Sequence, residues 1–130
     1  RHLGWRDFES FCALFFRARG YEVKENLTLR KPRAQIDLVA IGPSYAFCVD
    51  CKRWKKGHSP AVLQKFATAQ KKRSSLLRKV LKDPRPILSV ILSLSAPSGD
   101  FVDGVAVVPI GSLTGFLDSV EAYLDRLDAS

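Results

Sequence analysis

Three ionisable residues stand inside two strongly apolar stretches of this chain: Asp37 in Ile36-Asp37-Leu38-Val39, and Asp50 and Lys52 in Phe47-Cys48-Val49-Asp50-Cys51-Lys52. Gly42-Pro43-Ser44-Tyr45 between them is a strong turn signal, so residues 34–41 and 46–52 read as the arms of an antiparallel hairpin. With the turn centred between Pro43 and Ser44, facing residues have numbers that sum to 87, whether the loop has two residues or four. Asp37 then faces Asp50, with Cβ atoms about 4.5–5.5 Å apart, a spacing at which like charges repel. Lys52 lies two residues past Asp50 and points to the same face. Acids in apolar strands are costly to bury unless they are paired or bound to a metal. A hard divalent cation that keeps several waters suits two carboxylates and a backbone carbonyl. The Lys52 ammonium could then orient a metal-bound water. The plainer alternative is a structural Asp–Lys ion pair at a strand end.

The rest of the chain supplies the frame. Residues 5–19 read as a helix, because Trp5, Phe8, Phe11, Cys12, Phe15 and Phe16 recur at three- and four-residue spacing and Gly20 stands at the C-terminal cap. Residues 21–29 alternate, with Tyr21, Val23, Leu27 and Leu29 on one expected face. Pro60, capped by Ser59, opens a helix to about Leu81 that Asp83-Pro84-Arg85-Pro86 ends. Residues 87–94 form an apolar strand expected to be covered on both faces, and residues 104–109 a shorter one. Ser112 caps a closing helix carrying Leu113, Phe116, Leu117, Val120, Tyr123, Leu124 and Leu127. The order α-β-β-β-α-β-β-α predicts one mixed five-stranded sheet flanked by helices, an α/β fold in a single domain over residues 1–130.

Charge narrows the function. Residues 1–85 carry 20 Lys/Arg and 7 Asp/Glu, net +13, whereas residues 86–130 carry 1 and 6, net −5, giving +8 in total. A basic body of this kind suits a polyanion such as nucleic acid. No segment pairs the charges with a continuous apolar face or reaches the length of a membrane span, so no membrane partner is expected. No secretory signal opens the chain, and Cys12, Cys48 and Cys51 cannot all pair, so a reducing, cytoplasmic setting is expected. Cys48-Val49-Asp50-Cys51 matches a CxxC pattern, but on a strand positions three apart face opposite sides and cannot share a metal or a bond. The start at Arg1 and the lack of Met lead to the expectation of a trimmed chain or a piece of a longer one.

Asp37 followed by Asp50-Cys51-Lys52 on the next strand resembles the PD-(D/E)xK nuclease superfamily. The run Phe8-Glu9, Arg19-Gly20-Tyr21-Glu22-Val23, Ile36-Asp37-Leu38 and Val49-Asp50-Cys51-Lys52-Arg53-Trp54 is most similar to its Mrr-type restriction and archaeal Holliday-junction-resolvase branch. The chain differs in having Ile36 where Pro is frequent, Asp50 where Glu is frequent, and Lys31-Pro32-Arg33-Ala34-Gln35 in place of a glycine-rich run. The resemblance implies a three-layer α-β-α, restriction-endonuclease-like fold. It also implies Mg²⁺ or Mn²⁺ held by Asp37, Asp50 and the Cys51 carbonyl, with Lys52 positioning the attacking water. Glu9 would be the extra acid, orienting water or holding a second metal. Gln70 falls at the centre of the inward stripe of the second helix, among Leu63, Phe66, Ala67, Leu77 and Leu81. It is either a site residue, as in several nucleases of this fold, or a glutamine bonded within the core.

Arg53, Trp54, Lys55 and Lys56 follow the catalytic strand, and Lys31 and Arg33 flank the same end of the hairpin. Basic residues beside an aromatic suit phosphate contact with stacking. Lys71-Lys72-Arg73 and Arg78-Lys79 are less telling, since a solvated helix face looks identical, and His58 reads as a loop residue. The expectation is a prokaryotic, nucleoid-associated, Mg²⁺-dependent DNA endonuclease acting on branched, repair or restriction substrates. It would act as a homodimer or with a fused or associated DNA-recognition or helicase partner. The alternative is a non-catalytic DNA-binding or assembly module that keeps the fold.

Overall fold

The computed structural model describes residues 4–54, 56–95 and 100–130. Helix α1 (Trp5–Ala18) buries Phe8, Cys12, Ala13 and Phe16 along one stripe and exposes Phe11 and Leu14 on the other side. Gly20, at φ 90°, ends it in a left-handed turn that a Cβ would oppose. Strands β1 (Glu22–Arg30), β2 (Arg33–Ile41) and β3 (Ala46–Lys52) follow as an antiparallel meander. Helix α2 (Pro60–Val80), with Ser59 Oγ accepting from the Val62 amide, crosses to β4 (Ile87–Ser93), which runs parallel to β3. Then come β5 (Asp100–Val102), β6 (Val105–Pro109) and the short helix α3 (Leu113–Asp118). The sheet order is β1-β2-β3-β4-β6-β5, with β6 parallel to β4 and β5 antiparallel to β6.

All seven residues of β4 are buried, as expected for a strand covered on both faces. One face packs on α1 and α3 through Phe8, Phe16, Phe47, Val49, Leu88 and Leu113. The other packs on α2, where Leu77 meets Val39, Cys48 and Ile87, and Ala67 meets Ile91 and Val107. The fold is therefore mixed α/β in three layers. Cys48 and Cys51 do lie in clusters on opposite faces, and all three cysteines are free thiols.

Three expectations need correction. The sheet has six strands, not five, because Asp103 (φ 49°) and Gly104 (φ 81°) form a two-residue turn that folds β5 back onto β6. An Asp-Gly pair between apolar residues is a hairpin signal in its own right. The closing helix also stops early: α3 has six residues, and Val120–Arg126 is 3₁₀. Strand β6 pairs with β4 only from Val90 onward, which leaves the β4 edge at Ile87 open to the C-terminal residues. The amide and carbonyl of Ile87 are satisfied instead by Ser130, at 3.0 and 2.9 Å.

The third correction concerns β1. Tyr21 and Val23 pack in the α1-side cluster, whereas Leu27 and Leu29 pack in the α2-side cluster. Strand β2 changes sides in the same place, with Leu38 and Ala40 toward α1 and Ile36 toward α2. Strand register does not slip, since Glu25 faces Leu38 and Leu27 faces Ile36. Between those pairs sits Asn26, a non-glycine residue at φ 51°, in the position facing Asp37. The two strands roll over together at that point.

Candidate active site

The β2–β3 ladder pairs Leu38 with Val49 and Ile41 with Ala46, the register in which numbers sum to 87. The next position brings Asp37 against Asp50. The Cys51 amide donates to Asp37 Oδ2 at 2.8 Å, tying the first acid to the strand that carries the second. Lys52 Nζ lies 3.3 Å from Asp50 Oδ2. A cavity of about 300 Å³ opens here, lined by Gln35, Asp37, Asp50, Cys51, Lys52, Arg53 and Arg73. A larger hollow near Arg78 and Asp83 is structural, since the Arg78 guanidinium is spent on the carbonyls of Leu81, Asp83 and Arg85.

Glu9 arrives from the other layer. It is 3% exposed on α1, and it lines a neighbouring cavity with Arg6, Ser10, Glu25, Asn26, Thr28 and Gln35. Gln35 borders both cavities, so they adjoin. The roll at Asn26 and Asp37 makes this possible, because Asp37 stands where the α1 side and the α2 side of the sheet exchange. Burial, then the charges of Asp37 and Asp50, push Glu9 up to about 7. Burial and contact with the Asp50 carboxyl push Asp37 up to about 6 against the opposing pull of the Cys51 amide. Three carboxyls thus crowd together beside the cations Lys52, Arg53 and Arg73.

Two buried oxygens there, Glu9 Oε2 and Asp50 Oδ2, accept no hydrogen bond. Orphaned carboxylate oxygens are expensive unless a cation or water meets them. Among the described residues no group of three His, Cys, Asp or Glu side chains is arranged to hold a metal alone. Carboxylates with a backbone carbonyl, as Asp37, Asp50 and Cys51 offer, would suit a hard, partly hydrated cation better than zinc.

Gln70 is wholly buried, with Nε2 donating to the Cys48 carbonyl at 2.7 Å and, more weakly, to Val90 at 3.4 Å. Its Oε1 accepts from Arg73 Nη1 at 3.0 Å, and that same nitrogen is 3.7 Å from Asp50 Oδ2. Gln70 thus reaches the acids through Arg73. Sequence reasoning passed over Arg73, because Lys71-Lys72-Arg73 reads as solvated surface. The available signal was its spacing, one helical turn from Gln70 on the same stripe. Lys71 has a different fate, pairing with Asp103 at 2.9 Å and Asp128 at 3.2 Å.

Lys52 Nζ also sits 4.7 Å from the ring centroid of Phe66, another member of that α2 stripe. Phe66 packs edge-on against Trp54 at 4.9 Å, and Trp54 against His58 at 4.4 Å. Trp54 is therefore half-buried on its own chain, and only its remainder faces solvent. Lys31, Arg33, Arg53 and Lys56 are exposed, with Arg53 at the cavity wall; Lys55 lies outside the described residues.

A three-layer sheet with acids and a lysine at the end of its antiparallel hairpin defines a restriction-endonuclease-like fold, the class to which nuclease domains of this architecture belong. More particularly, the chain belongs to the Mrr-type restriction endonuclease family, whose profile (Mrr_cat, restriction endonuclease) matches residues 1–80. A crystal structure titled as protein of unknown function AF1548 is similar in fold, at TM-score 0.56 and 16% identity. The match covers 87% of this chain and 65% of that one, so the chain spans just under two thirds of its length. No curated protein matches the chain. No described helix is long and apolar enough to cross a membrane.

Proposed function

We propose that the chain is a Mg²⁺- or Mn²⁺-dependent DNA endonuclease. The observation that carries this reading is the convergence of Asp37, Asp50, Lys52 and Glu9, with Glu9 Oε2 buried without a partner and Asp50 Oδ2 buried with no hydrogen bond and only the Lys52 and Arg73 cations near it. Asp37, Asp50 and the Cys51 carbonyl would hold the cation, with Glu9 as an additional acid. When bound, such a cation supplies Lewis acidity toward a phosphate oxygen and lowers the pKa of a water.

The chain's own groups do the rest. Lys52, held between Asp50 and the Phe66 ring, donates from Nζ to the attacking water or to the phosphate. Glu9, titrating at about 7, can take a proton near neutral pH, where a general base is most useful. Arg53, Lys31, Arg33 and Lys56 would follow the DNA backbone, as the exposed part of Trp54 and the adjoining Lys55 would. Such phosphate contacts give affinity without sequence preference. A site this small has few elements for target reading, so a second copy or an associated recognition or helicase partner would supply it. Branched, repair or restriction substrates and an intracellular location beside the chromosome belong to the same proposal.

Labelled linear, flapped and four-way-junction DNA, each with Mg²⁺ or EDTA, test it. Cation-dependent cutting that disappears in Asp50→Ala and Lys52→Ala is expected. Binding without cutting, equal in wild type and both variants, would overturn catalysis and leave a DNA-binding module.

A further inference from the structure

We propose that Arg73 is the residue that grips the scissile phosphate, and that Gln70 is the positioning residue that aims it. The proposal rests on the nuclease reading above and adds a substrate contact to it. A guanidinium presents five N–H donors in a rigid fork matched to phosphate oxygens. Arg73 has one of them committed, Nη1, which donates to Gln70 Oε1 at 3.0 Å. Gln70 is itself immovable, being fully buried with its amide nitrogen bonded across to the Cys48 carbonyl of β3. The planar amide therefore fixes where the fork points.

The contact with Asp50 does not consume the fork. At 3.7 Å, Arg73 Nη1 is beyond hydrogen-bond length from Asp50 Oδ2, whose nearer cation is Lys52 at 3.3 Å. Among the described residues no acceptor is bonded to Nε or Nη2 of Arg73. Those donors stand at a cavity of about 300 Å³ whose wall also holds Asp37, Asp50 and Lys52. Lys52, by contrast, is 3.3 Å from Asp50 and lies over the Phe66 ring, and its ammonium is a point charge rather than a fork. Arg73 is thus a wall cation, beside Lys52 and Arg53, with spare donors aimed by Gln70 next to the acids. A phosphodiester entering the cavity would meet them with a non-bridging oxygen, forming the paired contact that guanidinium makes with phosphate.

The test compares wild type with Arg73→Gln, Arg73→Lys and Gln70→Met by three measurements. They are Mn²⁺ affinity by electron paramagnetic resonance, duplex-DNA affinity in Ca²⁺ against salt by anisotropy, and single-turnover cleavage in Mg²⁺. Arg73→Gln should leave Mn²⁺ affinity within about threefold and lower the salt slope of DNA binding by about 0.9, one phosphate contact. Cleavage should fall by about 10²–10³-fold, the usual cost of losing one transition-state donor. Arg73→Lys should recover the salt slope but not the rate, because it restores charge without the fork. Gln70→Met should lower the rate, and adding Arg73→Gln to it should cost little more, since both act through one contact.

An unchanged salt slope in Arg73→Gln, or a loss of Mn²⁺ affinity that accounts for the whole rate loss, overturns the proposal. Wild type that never cuts, while Arg73→Gln still loses about 0.9 of slope, refutes the nuclease reading and leaves the phosphate contact standing.

Discussion

Two groups of buried polar residues lie beside strand β3 and are treated in opposite ways. Along the middle of α2, Ser74 Oγ meets Ser89 Oγ at 2.6 Å, and Gln70 bonds to the carbonyl of Cys48 and to Arg73. At the end of β3, Asp50 Oδ2 makes no hydrogen bond and only faces the Lys52 and Arg73 cations, Glu9 Oε2 across the sheet accepts nothing, and Asp37 and Glu9 are pushed well above ordinary carboxyls. The first group is closed and holds β3, β4 and α2 together. The second is held open by surrounding structure that does not satisfy it. An acid cluster left without hydrogen bonds costs stability, the cost expected of the metal-dependent site proposed above.

The sharpest way to break this contrast is to replace one polar residue in each setting. Asp50→Asn should reduce cleavage by about 10³-fold or more while leaving the metal-free melting temperature unchanged or higher, by calorimetry alongside a nuclease assay. Gln70→Leu should do the reverse to stability, costing about 1–3 kcal/mol in urea unfolding, because it strands the buried Cys48 carbonyl. If Asp50→Asn were the more destabilising of the two, the acid cluster would be structural.

Acidity sharpens the comparison further. Glu9 and Asp37 have folded values of about 7 and about 6, above their ordinary 4.5 and 3.8. Between those limits the folded chain binds more protons than the unfolded one, so stability without metal falls as pH rises from about 4 to 7. The melting temperature should therefore drop between pH 5 and pH 8, and Mn²⁺ should raise it more at pH 8 than at pH 5. Equal stabilisation at both pH values would detach the acids from the cation.

The smallest expected effect lies at the roll of the hairpin. Asn26 at φ 51° tolerates the left-handed region better than most residues. Asn26→Val should cost about 1–2 kcal/mol, whereas Asn26→Gly should be close to neutral, by chemical unfolding. A neutral valine would mean that the strands change face without help from this residue.

How much of this was legible in the sequence depended on the range of the interaction. The opposition of Asp37 and Asp50 followed from a four-residue turn and two alternating strands, all within residues 34–52. Lys52 on the Asp50 face and the packing of Cys51 away from it followed from the same two-residue period. The buried β4 followed from composition alone. Period arithmetic failed where backbone conformation intervened, as at Asn26, where one left-handed residue sent Leu27 and Leu29 to the opposite side from Tyr21 and Val23.

By itself the sequence determined the hairpin register, the central strand and the two strand acids, because loop length and alternation are local and a one-residue slip would expose the core. Only the tertiary structure decided that Glu9 from α1 and Arg73 from α2 meet those acids from opposite layers. It alone ended the closing helix so that Ser130 could pair with Ile87. Periodicity states which way a side chain points along its own element. Which element arrives to meet it depends on packing among distant segments, and a Lys-Lys-Arg run carries the same pattern whether its arginine faces water or a row of carboxylates.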